Sequence, residues 1–204
     1  MDWVITSSYS RFLFFFFITR MWHNRYMRMR MILGMFLSLL SMAAVADQVY
    51  QTPGAFVDEA FAGVPPAASA LWLQPELRAE LGHILGHKPG LRIRYWGIGG
   101  RTAWIFDEIG KTHPITTGVV VDTGAIEDIR VLIFRESRGW EIKHPFFTNQ
   151  FHNARLTDDQ KLDLHIDGIT GATFSVRTMK RVARAALFLH EHSQTSAGSL
   201  AQAR

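Results

Sequence analysis

The sequence predicts an α+β fold in which an antiparallel sheet is flanked by helices, and a glycine-rich turn leads into a C-terminal helix. Residues 91–143 hold β-branched runs separated by turn residues, which is typical of strands. Helical spacing of apolar residues appears before them, within 71–86, and after them, within 174–192. The order helix, strands, helix indicates one α+β domain, and 204 residues suffice for an ordinary core.

The strand region divides at two turns. Gly97-Ile98-Gly99-Gly100 separates the first two strands, and Asp122-Thr123-Gly124 joins a later pair as a hairpin. Pairing is therefore expected to be antiparallel. The predicted strands cover residues 91–96, 102–106, 115–121, 126–134 and, as a short last candidate, 140–143.

The segments around the sheet are predicted as follows. Residues 47–90 form a lead-in and a helix: 47–70 are rich in Ala, Pro and Gly and indicate an extended, partly mobile chain. The helix core is Pro75–Leu85, with Pro75 in the first turn and Gly86 as its stop. The main domain covers 91–192, and 193–204 is a flexible polar tail.

Residues 1–46 are predicted to be an N-terminal extension and a secretory signal peptide. Residues 27–31 are basic, 32–42 are apolar, and Ala44-Val45-Ala46 is an A-x-A cleavage site, so the mature chain is expected to begin at Asp47. An uncleaved anchor is the alternative. The methionines at 27, 29 and 31 are more conventional start positions than Met1, and we expect translation to begin at one of them.

The charge distribution and the absence of cysteine exclude several classes of function. Residues 1–46 hold five basic side chains and one acid, so residues 47–204 hold 17 of each sign. The body is neutral, which argues against a nucleic-acid partner. There is no cysteine, which excludes disulfides, thiol catalysis and cysteine-bound haem or iron–sulfur clusters. Any redox chemistry therefore needs a different cofactor.

The strongest helix begins at a glycine-rich turn, Asp167 to Ser175. Free backbone N–H groups and the positive end of the helix dipole suit a phosphate there, and Thr173 offers a hydroxyl at the same place. The alternative is that a Thr or Ser at this point is an ordinary N-cap. One helix face is expected to be buried and the basic face solvated. The buried set is Val176, Met179, Val182, Ala183, Ala186, Leu187 and His190, and the basic set is Arg177, Lys180, Arg181 and Arg184.

Asp167-Gly168-Ile169-Thr170-Gly171-Ala172-Thr173-Phe174-Ser175 resembles the flavinylation motif of the FMN-binding domain family. The family includes the flavin-carrying subunits of the sodium-translocating NADH:quinone reductase and of the Rnf complex. Residues 110–119 and 135–139 resemble segments of its small exported members. The resemblance implies that 91–192 is an FMN-binding domain and that 167–173 is a flavinylation turn. A flavin transferase using FAD and a divalent metal would attach FMN.

The resemblance also implies the site and the role. Thr173 is the acceptor of a phosphoester-linked FMN, and Thr170 stands where many relatives have Ser. The chain is then an exported electron carrier, periplasmic or on the outer face of the inner membrane, with membrane or periplasmic redox proteins as partners. The implied cofactor-binding residues are Thr173, Asp167, Gly168, Ile169, Thr170, Gly171, Ala172 and Ser175.

Alternatives remain open at this point. A small flavin-dependent reductase of a soluble acceptor is one, although the chain leaves little room for a second catalytic domain. A non-redox binding module is another, and no catalytic residue is predicted.

His83 and His87 have the i,i+4 spacing of metal ligands, but the end of the helix falls between them and no third ligand is evident, which favours a surface pair. The Arg135–Gly139 segment indicates either an anion or partner contact or an ion-paired strand end. Nine aromatic residues are candidate flavin neighbours, each more simply a core residue: Trp96, Trp104, Phe106, Phe134, Trp140, Phe146, Phe147, Phe151 and Phe174.

Overall fold

The fold was analysed in a computed structural model that describes residues 47–202, with side chains described up to residue 194. The signal peptide and the internal start lie outside the described residues. Helices and strands are numbered in chain order. The strands are β1 (Gln48–Val49), β2 (Ser69–Trp72), β3 (Arg92–Ile98), β4 (Arg101–Ile109), β5 (Pro114–Asp122) and β6 (Ala125–Phe134). The helices are α1 (Pro53–Ala60), α2 (Pro75–Leu85), α3 (Pro145–Thr148) and α4 (Thr173–Gln202).

The six strands form one antiparallel sheet in the order β1-β6-β5-β4-β3-β2. The predicted α+β class and antiparallel pairing are confirmed. The predicted turns are present as well: Gly99 and Gly124 both have positive φ, which glycine adopts without a Cβ penalty. The β5–β6 register shifts twice, at Thr116/Thr117 and at Val120/Val121, so these two central strands carry bulges.

The sheet is covered on both faces. The main core lies between one face, represented by Trp104, Val119 and Ile129, and the helices α2 and α4. Alternate residues of the same strands, such as Ala103 and Val120, pack on the other face against α1. Alternation along each strand thus buries both faces, which explains why the strand sequences read as nearly continuous apolar runs.

The lead-in is more ordered than predicted. Residues 48–49 and 69–72 are the two edge strands, and α1 lies between them with Thr52 as its N-cap, whose hydroxyl accepts from the Ala55 N–H. Phe56 of α1 is 1% exposed. A Cβ at Gly118 would come within 2.6 Å of the Phe56 ring, so a glycine in β5 makes room for this helix. The expectation of an extended chain over 47–70 was wrong.

Helix α2 occupies Pro75–Leu85, as predicted, and ends at Gly86 in a left-handed conformation. Helix α4 begins at Thr173 and continues to Gln202, beyond the predicted end at 192. All seven residues of the predicted apolar face are buried. Because Ala185, Phe188 and Leu189 are buried too, the middle of α4 is covered on more than one side. The flexibility predicted for 193–204 stays a prediction.

The segment after β6 is not a strand. Trp140–Lys143 is a 3-10 turn, followed by α3 and a second 3-10 turn at Asn149–Phe151. Pro145 begins α3, and an aromatic side chain every few residues points into the core. The predicted strand at 140–143 was wrong. Among the residues described, no helix has both the length and the apolar character to cross a bilayer.

Candidate functional site

Helix α4 begins without a side-chain cap. Its first helical residue is Thr173, so the N-cap position falls on Ala172, whose carbonyl accepts the first helical hydrogen bond from Val176 N–H at 2.9 Å. Alanine has no side-chain acceptor for the N–H groups that follow. The N–H groups of Thr173, Phe174 and Ser175 therefore point out of the helix end unpaired within the described chain. Thr173 is not an N-cap, and its exposed hydroxyl is left free for other chemistry.

The turn before Thr173 is open to approach. Gly171 has φ +85°, and nothing lies within 4 Å of the position a Cβ would take there or at Gly168. Thr170 is exposed, whereas Ile169 packs against the main core and Ala172 is 2% exposed. The small and glycine residues thus leave the solvent side of the turn clear, while the buried ones hold its inner side in place.

The two ends of the motif play different parts. Asp167 is exposed: its backbone N–H donates to Gln150 Oε1 at 2.7 Å, and its carboxylate lies 3.5 Å from His165 Nε2. Ser175 is 3% exposed, and its hydroxyl faces the backbone of Gly139. The Ser175 side chain is therefore a packing contact, and only its N–H lies at the open helix end.

Gly139 brings the turn after β6 against the start of α4. A Cβ on Gly139 would lie 2.6 Å from Ser175 Oγ and 3.4 Å from Ala172 Cβ, and φ is +88°. Both observations require glycine at this point. The 135–139 segment, which the sequence singled out without a defined role, thus packs beside the predicted acceptor.

Glu136 ties a third segment to this turn. Its carboxylate, 6% exposed, accepts the backbone N–H groups of residues 111, 112 and 113 and the hydroxyl of Thr112. A Cβ on Gly110 would approach Glu136 Oε1 to 2.9 Å, so the β4–β5 loop closes tightly around the carboxylate. Burial alone raises the pKa of Glu136, but the N–H groups of the loop together lower it below its ordinary value.

The basic face of α4 is not a solvated face. Lys180 Nζ donates to Ile166 O at 2.6 Å, Arg181 to Ile109 O at 3.2 Å, and Arg184 Nε to Gln160 O at 2.5 Å. Thr178 also donates to Ile109 O, at 2.9 Å. Lys180 and Arg184 thus bind the segment after the second 3-10 turn to the helix, and Arg181 binds the end of β4 to it. The predicted solvation was wrong for these three of the four cations. Arg177 remains exposed.

Arg135 is fixed by ion pairing and hydrogen bonds at the end of β6. Its guanidinium donates to Asp47 at 3.0 Å and to Thr116 Oγ1 at 3.0 Å. For the 135–139 segment, the interpretation as an ion-paired strand end therefore applies to Arg135. Glu136 instead binds the β4–β5 loop, and Gly139 packs against the start of α4.

The candidate aromatic residues separate into buried and exposed groups. Trp140, Phe146 and Phe174 are exposed by 44%, 62% and 50%. His144 lies between the first two, edge-on to Trp140 at 5.4 Å and stacked on Phe146 at 6.0 Å. Trp96 is half-buried on the α1 face. The buried, purely core residues are Trp104, Phe106, Phe134, Phe147 and Phe151.

The histidine pair is not a metal site. His87 lies beyond the end of α2, and its Nε2 is 2.8 Å from a carboxylate oxygen of Glu108. Within the described residues, no group of three or more His, Cys, Asp or Glu side chains is placed to hold a metal ion.

The open helix end fits a phosphate. Three unpaired N–H groups and the helix dipole suit an anionic phosphate group beside Thr173, and Gly171 leaves room for its substituent. The fold and site thus define an exposed threonine hydroxyl at an uncapped helix start. Residues 110–187 match the family model described as FMN-binding domain. No curated protein and no solved structure matches the chain. The likeness to the Rnf and NADH:quinone reductase subunits stays an expectation.

The matched span includes all three segments that converge on the start of α4. Sequence reasoning found these segments but missed what joins them. Glu136 acts through backbone N–H groups, which leave no side-chain signature in the β4–β5 loop. The signal that was available is the pair Gly110 and Gly139, since each stands where a chain passes too closely for a Cβ.

Proposed function

We propose that this chain is an exported electron carrier that holds one FMN through a phosphoester to Thr173. The observation that carries the proposal is the exposed Thr173 hydroxyl at the first position of a helix whose alanine N-cap leaves the N–H groups free. The FMN-binding domain match supports FMN as the flavin. The match alone is compatible with tight non-covalent binding, and the free hydroxyl favours the ester.

The attachment step is a phosphoryl transfer. The Thr173 hydroxyl displaces AMP from the flavin-side phosphorus of FAD: an Oγ–P bond forms, the bond from that phosphorus to the oxygen of AMP breaks, and the hydroxyl proton leaves to a base of the transferase. The residues of this chain bind and orient. The N–H groups at the helix start hold the phosphate oxygens, and Gly171 leaves room for in-line approach.

An electron carrier is favoured over a stand-alone reductase. Thr170, Gly171 and Thr173 are exposed, so a flavin attached to Thr173 is open to a protein redox partner. Bound FMN supplies one- and two-electron redox chemistry, and the protein supplies position and electrostatics. The partners are then a flavin transferase during maturation and membrane or periplasmic redox proteins afterwards.

The covalent link is tested by the intact mass of the chain co-expressed with a flavin transferase. Wild type is expected to gain the mass of FMN less one water, and Thr173→Ala none. Ser137→Ala is the matched control, because it removes an exposed hydroxyl from a neighbouring turn that lies outside the motif. A wild-type chain without the mass gain, beside a competent transferase, contradicts the ester. Retention of the gain in Thr173→Ala places the ester elsewhere.

Export and the carrier role need separate measurements. Fractionation and N-terminal sequencing are expected to find the mature chain outside the cytoplasm beginning at Asp47. Recovery in the cytoplasm with the leader intact refutes export. Stopped-flow reduction of the flavinylated chain by membrane vesicles, and its reoxidation by a second redox protein, tests the carrier role. Rapid turnover of a small soluble acceptor by the purified chain alone favours the reductase instead.

A further inference from the structure

A groove lies away from Thr173, between α2 and the loop that follows it. Its volume is about 680 Å³. The residues lining it are Leu73, Pro75, Arg78, Ala79, Gly82, His83, Gly86, His87, Lys88 and Leu91. None of them belongs to the motif, so the groove requires its own explanation.

The groove is preformed. Arg78 Nε donates to Pro89 O at 2.9 Å, and His87 Nε2 is 2.8 Å from Glu108, so two tethers hold the loop back over the helix. Gly82 permits this return, because a Cβ there would lie 3.3 Å from His87 O. An occupant therefore meets a fixed shape rather than a loop that must be ordered on binding.

The charge of the lining is one-sided. Arg78 and Lys88 carry positive charge and no Asp or Glu lines the groove, although residues 47–204 hold equal numbers of basic and acidic side chains. The neighbouring Glu108 is 6% exposed and engaged by His87. On α2 itself, Glu80 Oε2 accepts from Gln160 at 3.4 Å, outside the groove. The groove therefore selects an anionic occupant.

The groove adjoins the end of an edge strand, because Leu73, which directly follows β2, is one of its lining residues. Leu91, 62% exposed, also lies in the lining. Trp72, 61% exposed, lies on the opposite face of β2 from the buried Leu71 and Leu73, and Arg92 is 5.9 Å from its ring centroid. Trp and Arg are the side chains most often found at binding hot spots. Strand β2 is the last in the sheet, so the backbone groups of its outer edge are free to pair with another strand.

We propose that this surface, named the α2 groove and defined by its lining residues with Trp72, docks an extended protein segment that alternates acidic and apolar side chains. The backbone of the segment pairs with the outer edge of β2, its acidic side chains face Arg78 and Lys88 on one side of the sheet, and its apolar ones face Trp72 on the other. A protein partner is favoured over an anionic lipid surface, because a sheet edge and a preformed concave groove recognise a chain, whereas a bilayer requires a protruding basic face.

The α2 groove lies close enough to the motif for the partner to be a redox protein. The Cβ position of Gly86 is 3.8 Å from the guanidinium of Arg181, which is eight residues after Thr173 in α4. Eight residues of helix span about 12 Å. The proposal itself does not depend on the FMN ester, since none of the groove residues belongs to the motif.

The test uses the purified chain and a fluorescein-labelled peptide of alternating glutamate and leucine, with an alternating lysine–leucine peptide as the control probe. Anisotropy is expected to show binding of the acidic peptide only, weakened by salt. The variant with His83→Glu and Lys88→Glu is expected to bind at least ~10-fold more weakly. Both side chains are exposed, and a thermal unfolding curve that matches that of wild type checks that the variant is folded.

Lys161→Glu is the matched charge control, because this lysine is 73% exposed and lies outside the groove. Equal weakening by Lys161→Glu, or no binding by wild type, overturns the proposal. Amide NMR shifts are expected to move at Ser69–Trp72 when the peptide binds, and their absence overturns the strand pairing. In the remaining outcome, the wild type binds vesicles of three parts phosphatidylcholine to one part phosphatidylglycerol and not the peptide. If the double variant then loses the vesicle binding, the groove is assigned to lipid.

Discussion

The carboxylate of Glu136 offers the sharpest test of how the site is assembled. It is 6% exposed and accepts three backbone N–H groups and one hydroxyl from the β4–β5 loop. Glu136→Gln keeps the shape and removes the charge. A hydrogen bond to a charged group contributes about 1.5–3 kcal/mol and a neutral one about 0.5–1.5 kcal/mol. Losing about 1 kcal/mol at each of the three N–H groups lowers the free energy of unfolding by about 3 kcal/mol.

The assay is thermal and urea unfolding of the chain without flavin, at pH 7 and at lower pH. A loss of about 3 kcal/mol lowers Tm by roughly 6–12 °C in a domain of this size. Because the folded-state pKa of Glu136 is lowered, its stabilisation is present above the unfolded-state pKa and is lost as pH falls through the folded-state pKa. The gap between wild type and Glu136→Gln is therefore expected to close as pH falls below about 4.5.

Two results would refute this reasoning. Equal Tm values at pH 7 would mean that the carboxylate contributes nothing beyond an amide. A gap that persists undiminished to pH 3 would mean that the loss comes from packing rather than from charge. Hydrogen exchange supplies a local readout, since the amides of residues 111–113 are expected to exchange faster in the variant than in wild type.

Two further predictions concern the two faces of the sheet. Gly118→Ala places a methyl group 2.6 Å from the Phe56 ring and is expected to cost about 1–3 kcal/mol in urea unfolding, with partial recovery when combined with Phe56→Leu; an unchanged midpoint contradicts the packing argument. Burial lowers the pKa of His190, whose Nδ1 is 2.8 Å from the Thr102 hydroxyl, which in turn accepts from Trp104. His190 binds its proton at a higher pH in the unfolded chain than in the folded chain. The free energy of unfolding is therefore highest above about pH 6.5 and falls as the pH is lowered through that value. Unfolding of His190→Gln is expected to vary less between pH 7 and pH 5, and an identical pH dependence contradicts this.

The parts of the fold that were predicted follow from local patterns. Alternation and turn glycines located β3 to β6, and Pro75 and Gly86 fixed the ends of α2 because each has a strong backbone preference. The lead-in was missed because Ala, Gly and Pro also suit loops. Only Thr52 followed by Pro53 indicated a helix start, and the burial of Phe56 depends on a glycine in β5 that is distant in sequence.

The site was predicted only in part, for a related reason. The motif is continuous in sequence, so residues 167–175 could be found directly. Trp140 was placed in a strand because apolar and charged residues alternate around it, and a 3-10 turn satisfies that pattern equally well over four residues. The cations of α4 were assigned to solvent because helical periodicity shows a polar face without showing what covers it. Their acceptors are main-chain carbonyls, such as Ile166 O, which a sequence pattern does not reveal.

The burial of α4 has a consequence for the order of events during synthesis. A chain made from its N-terminus presents the whole sheet before the helix that covers the main core exists. Until the 30-residue helix α4 is made, α2 is the one long helix that covers this face among the described residues. Thr173 stands at the start of α4, and the turn at Gly139 packs against its first residues. The hydroxyl therefore acquires its setting in the closing step of folding, and an enzyme that recognises this setting acts on the finished domain rather than on the nascent chain.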